Sequence, residues 1–171
     1  MARPIAIFGL PKESFVKKVL AMRKKLFDEG KLEEAELMTV PHLTILINTT
    51  LDDLVSNAFL SQKIKSLVSA VKPFNLTVSE FEKMENSVIA KFDTSFSRKL
   101  VAQMSSVLTG FRPITTDFIK IVRRITPGNE EEVLEKIKLE FKKDIVIDRI
   151  CIGGGALRRE DIIWTGILGE K

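Results

Sequence analysis

The chain contains a single histidine, and it stands two residues before a threonine in Val40-Pro41-His42-Leu43-Thr44-Ile45. If this stretch is extended, alternate side chains share a face. His42 and Thr44 then point one way, Leu43 and Ile45 the other. An imidazole beside a hydroxyl suits phosphate-ester chemistry. The imidazole can move a proton near neutral pH, and the hydroxyl can hydrogen-bond a phosphate oxygen. The plainer reading is a strand histidine satisfied by a neighbour, next to a threonine that is simply a good strand former. A second group of interest is Phe118-Ile119-Lys120-Ile121, followed by Arg123 and Arg124. Lys120 is a compact cation that can pair with phosphate, and a guanidinium fork binds phosphate well. Adjacent strand residues face opposite sides, so at most one of the two arginines joins a given cleft, and Arg123 is the candidate ligand. Phe118 either stacks on a base or fills a core position.

Other reactive groups carry less. Cys151 lies inside an apolar run and reads as a small buried residue rather than a nucleophile. Asp52-Asp53 is placed at a helix start, where carboxylates suit the dipole. Gly153-Gly154-Gly155 lacks the strand–loop–helix setting and the Lys-Ser/Thr ending of a nucleotide-binding loop, so it is read as part of a flexible connection through Arg159. Arg158 and Arg159 in that connection could contact RNA, although a solvated basic loop is the usual explanation. No cluster of cysteines and histidines would hold zinc, and neither a metal nor a cofactor is expected.

The elements that must position these groups follow from periodicity. Residues 3–9 read as a buried strand. Residues 12–27 form an amphipathic helix through Phe15, Val16, Val19, Leu20 and Leu26, and 28–40 an acidic loop with a short helical turn. A strand over 42–47 carries His42 and Thr44, with Pro41 at its start, where a missing donor is tolerated. A helix follows over 51–71, then strands at 74–82 and 88–92, a helix at 95–108, a loop at 109–116 and a strand at 118–122. Asn129 is placed to cap the next helix, with Glu132 three residues on. Strands at 144–152 and 162–168 close the chain, and Trp164 is assigned to packing. The first half reads strand, helix, strand, helix, strand, and the second half repeats this with one more strand. The expected fold is α/β (α+β), with two pseudo-symmetric lobes at about 1–83 and 84–171. Each lobe would be a small sheet with helices on its outer face, around a central cleft.

Composition sets the frame. With 171 residues, 44% of them hydrophobic and 29% charged, the chain suits one domain with a real core. The formal net charge of +4 is compatible with phosphate-bearing partners without demanding them. The longest apolar runs fall short of the roughly 20 residues that cross a bilayer, and the charge at Lys12 comes too early for a secretory signal. One cysteine excludes an intrachain disulfide. A cytoplasmic location is expected.

Pro41-His42-Leu43-Thr44-Ile45, following a strand and a long helix, resembles the first signature of the two-histidine phosphoesterases, the family of the 2′-5′ RNA ligases and RNA 2′,3′-cyclic phosphodiesterases. Ile5-Ala6-Ile7-Phe8-Gly9-Leu10-Pro11 is similar to that family's opening strand, and Ile147-Asp148-Arg149-Ile150-Cys151-Ile152 with Trp164–Leu168 to its end. The resemblance implies two such motifs facing across a cleft, and metal-free hydrolysis of cyclic phosphodiesters in RNA ends or nucleotides. One histidine would activate water, or a ribose hydroxyl in the reverse ligation, and the other would protonate the leaving oxygen. Here Phe118 and Lys120 stand where the second histidine and its hydroxyl partner belong. Two readings follow. In the first, a divergent enzyme uses His42 as its one acid–base group and Thr44, Lys120 and Arg123 as phosphate ligands. In the second, a non-catalytic module on the same fold binds an RNA end or a nucleotide phosphate.

Overall fold

The computed structural model describes residues 5–48, 57–108, 110–114, 116–154 and 157–169. Its elements are β1 (Ile5–Pro11), α1 (Glu13–Asp28), a 3-10 turn (Glu34–Met38), β2 (Leu43–Asn48), α2 (Asn57–Ala70), β3 (Phe74–Met84), β4 (Ser87–Phe92), α3 (Ser95–Val107), β5 (Arg112–Pro113), β6 (Phe118–Val122), α4 (Glu130–Glu140), β7 (Asp144–Gly154), a second 3-10 turn (Arg159–Asp161) and β8 (Ile162–Ile167). The expected order is present. β5 is an addition, a two-residue strand inside the expected loop, paired with Leu46 and Ile47 of β2. Asp52-Asp53 and the expected start of the second helix lie outside the described residues.

All strand pairs are antiparallel, in the order β5-β2-β1-β7-β3-β4-β6, with β8 also on β7. β7 is the junction. One of its edges carries β1, while the other carries β3 along Asp144–Ile147 and β8 along Arg149–Gly153. This is the expected mixed α/β architecture, with helices packed on a sheet. The two halves of the sheet are not the two halves of the chain, however. β7 pairs with β1 and carries β8, so the last strands join the first, while β3 leads from β7 to β4 and, through it, β6. The first helix also crosses over. α1 packs on β6, and Phe15 meets Phe141 edge to face with ring centroids 5.7 Å apart. α4 covers β3 and β4, and α2 and α3 cover β8, β2 and β5.

Burial follows strand position. β1, between two neighbours, is buried along its whole length, as its unbroken apolar run implies. Ile5 and Ile7 face the main core with Ile45, Ile147, Ile150 and Ile152. Ala6, Phe8 and Leu10 face a smaller cluster with Val16, Val40, Cys151 and Leu157. That second cluster lies on the face of the sheet that also carries His42.

Two local expectations are corrected. Asn129 occupies the residue before α4, but its side chain turns back to Thr126, donating to the hydroxyl at 2.7 Å and the carbonyl at 3.2 Å. Glu132 pairs with Lys31 and Lys136 instead of closing a capping box. Tertiary ion pairing thus outcompetes the local motif. The glycine segment is also less free than expected. Gly153 and Gly154 end β7, and Leu157 folds back over Gly153 into full burial. A Cβ at Gly153 would stand 2.7 Å from Leu157 Cδ1 and 3.0 Å from the Asp161 carbonyl oxygen. Among the described residues no helix is long and apolar enough to cross a membrane.

Ile150 sits mid-strand in β7, fully buried and paired with Gly9 on one side and Gly166 on the other. Ile150→Ala removes methyl groups from a site flanked by glycines that cannot fill the space. We expect a loss of about 2–5 kcal/mol of unfolding free energy, measured by urea denaturation.

Candidate functional site

His42 precedes β2 and Thr44 lies within it, and both face a cavity of about 240 Å³. The opposite wall is supplied by Thr116, Phe118, Lys120 and Arg123, and the floor by Arg23, Thr39 and Val40. The structure therefore brings together all four residues singled out from the sequence, His42, Thr44, Lys120 and Arg123, with Phe118 among them. Arg124 points elsewhere and pairs with Glu33 at 3.8 Å. Arg158 and Arg159 lie outside the cavity lining and pair with Glu160 and Glu13.

The two walls share a device. Ile7 pairs with Leu46 while Phe8 pairs with Thr44, so Ile45 is an extra residue in β2. Val88 pairs with Val122 while Ile89 pairs with Lys120, so Ile121 is an extra residue in β6. Each bulge falls three residues after the motif's first position, at Ile45 after His42 and at Ile121 after Phe118. A bulge re-aims the side chains beyond it. Ile121 and Val122 are consequently both buried, and Arg123 joins Lys120 at the cavity, which strict alternation would deny it.

The floor is a buried ionic knot. Arg23, on the inward stripe of α1 with Val16, Val19 and Leu26, is 1% exposed. Its Nε donates to the carbonyl of Ile121, the bulge residue, at 2.8 Å. Nη1 donates to the Thr39 carbonyl at 2.7 Å and its hydroxyl at 3.1 Å. Nη2 pairs with Glu36 at 3.4 Å. Glu36, itself fully buried, also accepts from the Arg123 Nε at 3.2 Å and the Arg123 backbone N–H at 3.3 Å. Burial, opposed by Glu36 and reinforced by the Arg123 charge, lowers the Arg23 pKa to about 10, so the guanidinium stays charged. Neither Arg23 nor Glu36 was singled out from the sequence. The available signal was an arginine falling in register with Val16, Val19 and Leu26.

His42 is fixed from two sides. Its Nδ1 lies 2.7 Å from the Val40 carbonyl oxygen. A carbonyl only accepts, so Nδ1 carries the proton and Nε2 keeps its lone pair. The ring packs edge-on against Phe8 at 4.8 Å. Burial is the main cause that pushes its pKa down to about 4, and the charges of Arg123, Arg23 and Lys120 add to this against the pull of the Val40 carbonyl. At neutral pH His42 is therefore an uncharged base. Cys151 is buried on this same face, paired with Phe8, and desolvation pushes its thiol up to about 12, which leaves it inert. Among the described residues no group of three or more His, Cys, Asp or Glu could hold a metal ion.

Fold comparison adds a second line of evidence. The chain resembles E. coli LigT. The structure of that protein complexed with 3′-AMP matches at a TM-score of 0.52 and 12% identity, covering 99% of this chain and 100% of that one. LigT complexed with phosphate matches at 0.50 and 13%, with the same coverage. At this identity the likeness is one of fold. No family model matches the chain, and no curated protein matches it in sequence.

Two outcomes test this geometry. Glu36→Ala leaves Arg23 buried without its counter-charge, and we expect a loss of about 3–5 kcal/mol in chemical denaturation. For His42, the folded pKa of about 4 lies below the unfolded value near 6.5. Between these values the unfolded chain binds more protons, so stability falls as pH drops from about 6.5 toward 4. His42→Gln should flatten that part of the stability–pH curve.

Proposed function

We propose that the protein binds the phosphate ester of an RNA end or a nucleotide in this cavity, and that it hydrolyses 2′,3′-cyclic phosphodiesters slowly, with His42 as its one acid–base group. The observation that carries the reading is the convergence of His42, Thr44, Lys120 and Arg123 on one cavity from two strands. The fold shared with LigT, a two-histidine phosphoesterase, supports it, as does the Pro41–Ile45 signature. In the proposed step the phosphate sits between the Thr44 hydroxyl, the Lys120 ammonium and the Arg123 guanidinium. Nε2 of His42 takes a proton from water as the water oxygen bonds to phosphorus. One ribose oxygen leaves, and a phosphomonoester and a free hydroxyl result. Phe118 cannot donate the proton that the leaving oxygen needs, so solvent supplies it, and the rate suffers accordingly.

The second reading, a module that binds phosphate ends without turnover, is favoured by Phe118. An apolar ring at that position removes the acid, while the cations that hold phosphate remain. It requires salt-sensitive binding with no product.

The test is hydrolysis of nucleoside 2′,3′-cyclic phosphates and a cyclic-phosphate-ended RNA by the native protein and by His42→Ala. We expect turnover that falls by about 10²–10⁴-fold in the variant. Equal rates would remove His42 from the mechanism, and binding without product in the native protein would establish the second reading. The kcat/KM profile reports the free protein's base. Its acid limb should lie near pH 4, where His42 titrates, rather than near 6.5.

A further inference from the structure

We propose that the cavity selects a doubly charged terminal phosphate, a phosphomonoester on an RNA end or a nucleotide, over singly charged phosphodiesters, cyclic ones included. This rests on the phosphate-ester reading and goes beyond it by naming the charge state that the site selects. Among the described residues the charged and titratable groups facing the site are Arg23 from α1, Glu36 from the 3-10 turn, His42 from the segment before β2, and Lys120 and Arg123 from β6 and its end. Three cations against one carboxylate leave a surplus of two positive charges. Lys120 makes no hydrogen bond or ion pair among the described residues, so its charge is available to a ligand. A diester offers one negative charge. A monoester offers two above its second pKa of about 6. In a partly enclosed cavity, where the effective dielectric is well below that of water, the mismatch matters. A threonine at position 120 would leave a surplus of one and suit a diester.

A second observation is independent of charge. Thr116 lines the cavity, and its hydroxyl is buried with no hydrogen-bond partner among the described residues. Such a group is costly to leave unmet. A terminal phosphate presents three free oxygens where a diester presents two. The third can satisfy Thr116 while the others meet Thr44, Lys120 and Arg123.

The experiment is calorimetric titration of the full chain at pH 8 and pH 5. The ligands are inorganic phosphate, a nucleoside 3′-phosphate, the matching 2′,3′-cyclic phosphate, and a short RNA bearing each kind of end. At pH 8 the monoester should bind about tenfold or more tightly than the cyclic ester, on the mononucleotide and on RNA alike. At pH 5, where the monoester has lost its second charge, that margin should shrink. In the free protein His42 is largely neutral across this range, so the ligand's second ionisation is the main change between the two pH values. Lys120→Gln should abolish most of the preference and Lys120→Arg should keep it. Equal or tighter binding of the cyclic ester at pH 8, a margin unchanged at pH 5, or a preference confined to RNA would each overturn the inference while leaving the phosphate-ester reading intact. Failure of every ligand to bind would overturn both.

Discussion

The site depends on one buried guanidinium. Arg23 reaches from the inward face of α1 to three groups on two separate pieces of chain: the bulge carbonyl of Ile121 in β6, and, in the 3-10 turn and its end, the carboxylate of Glu36 and the Thr39 carbonyl two residues before Pro41. A buried charge is tolerated only when paired and fully hydrogen-bonded. The geometry that satisfies Arg23 therefore also fixes where β6 bulges and where the segment leading into His42 begins. Glu36 then extends the constraint to Arg123, holding one edge of its guanidinium while the side chain remains at the cavity wall. α1 is thus a brace between the two walls, which explains why the first helix packs on the strands of the second half.

Around this brace the electrostatics favour anions and disfavour a second positive charge. Arg23, Arg123 and Lys120 all lower the proton affinity of His42, after burial has done most of the work. The carbonyl of Val40 opposes this only in part and serves chiefly to set the tautomer. A histidine so placed can accept a proton at neutral pH but has none to give from Nε2. Across the cavity the side chain at position 118 is a phenyl ring, which has no proton to give.

The matched bulges at Ile45 and Ile121 explain how two strands with almost no sequence in common present equivalent faces. In each, the extra residue lets two consecutive apolar side chains enter the core while the polar positions before it stay on the cavity. Phe118 and Lys120 line the cavity and take no part in the main core.

The family resemblance implied the correspondence of Phe118 and Lys120 to His42 and Thr44, and sequence periodicity determined the element order, the inward stripes of the helices and the pairing of His42 with Thr44 on one face. These depend on neighbours two to four residues apart. The choice of Arg123 over Arg124 shows where that reach ends. Alternation allows only one of the two at the cleft and by itself assigns Arg124 to the Lys120 face. The choice of Arg123 made from the sequence therefore had no support in alternation, and the bulge at Ile121, visible only through the partner strand and Arg23, is what places it at the cavity. Arg23 and Glu36 were equally hidden, since a charged residue in an apolar stripe acquires a reason only when its partners arrive from elsewhere in the chain. Asn129 and Glu132 gave a local capping signal that Thr126, Lys31 and Lys136 overrode. Short-range pattern determined which side chains share a face, and the satisfaction of buried charges and backbone groups by distant partners decided which of them meet.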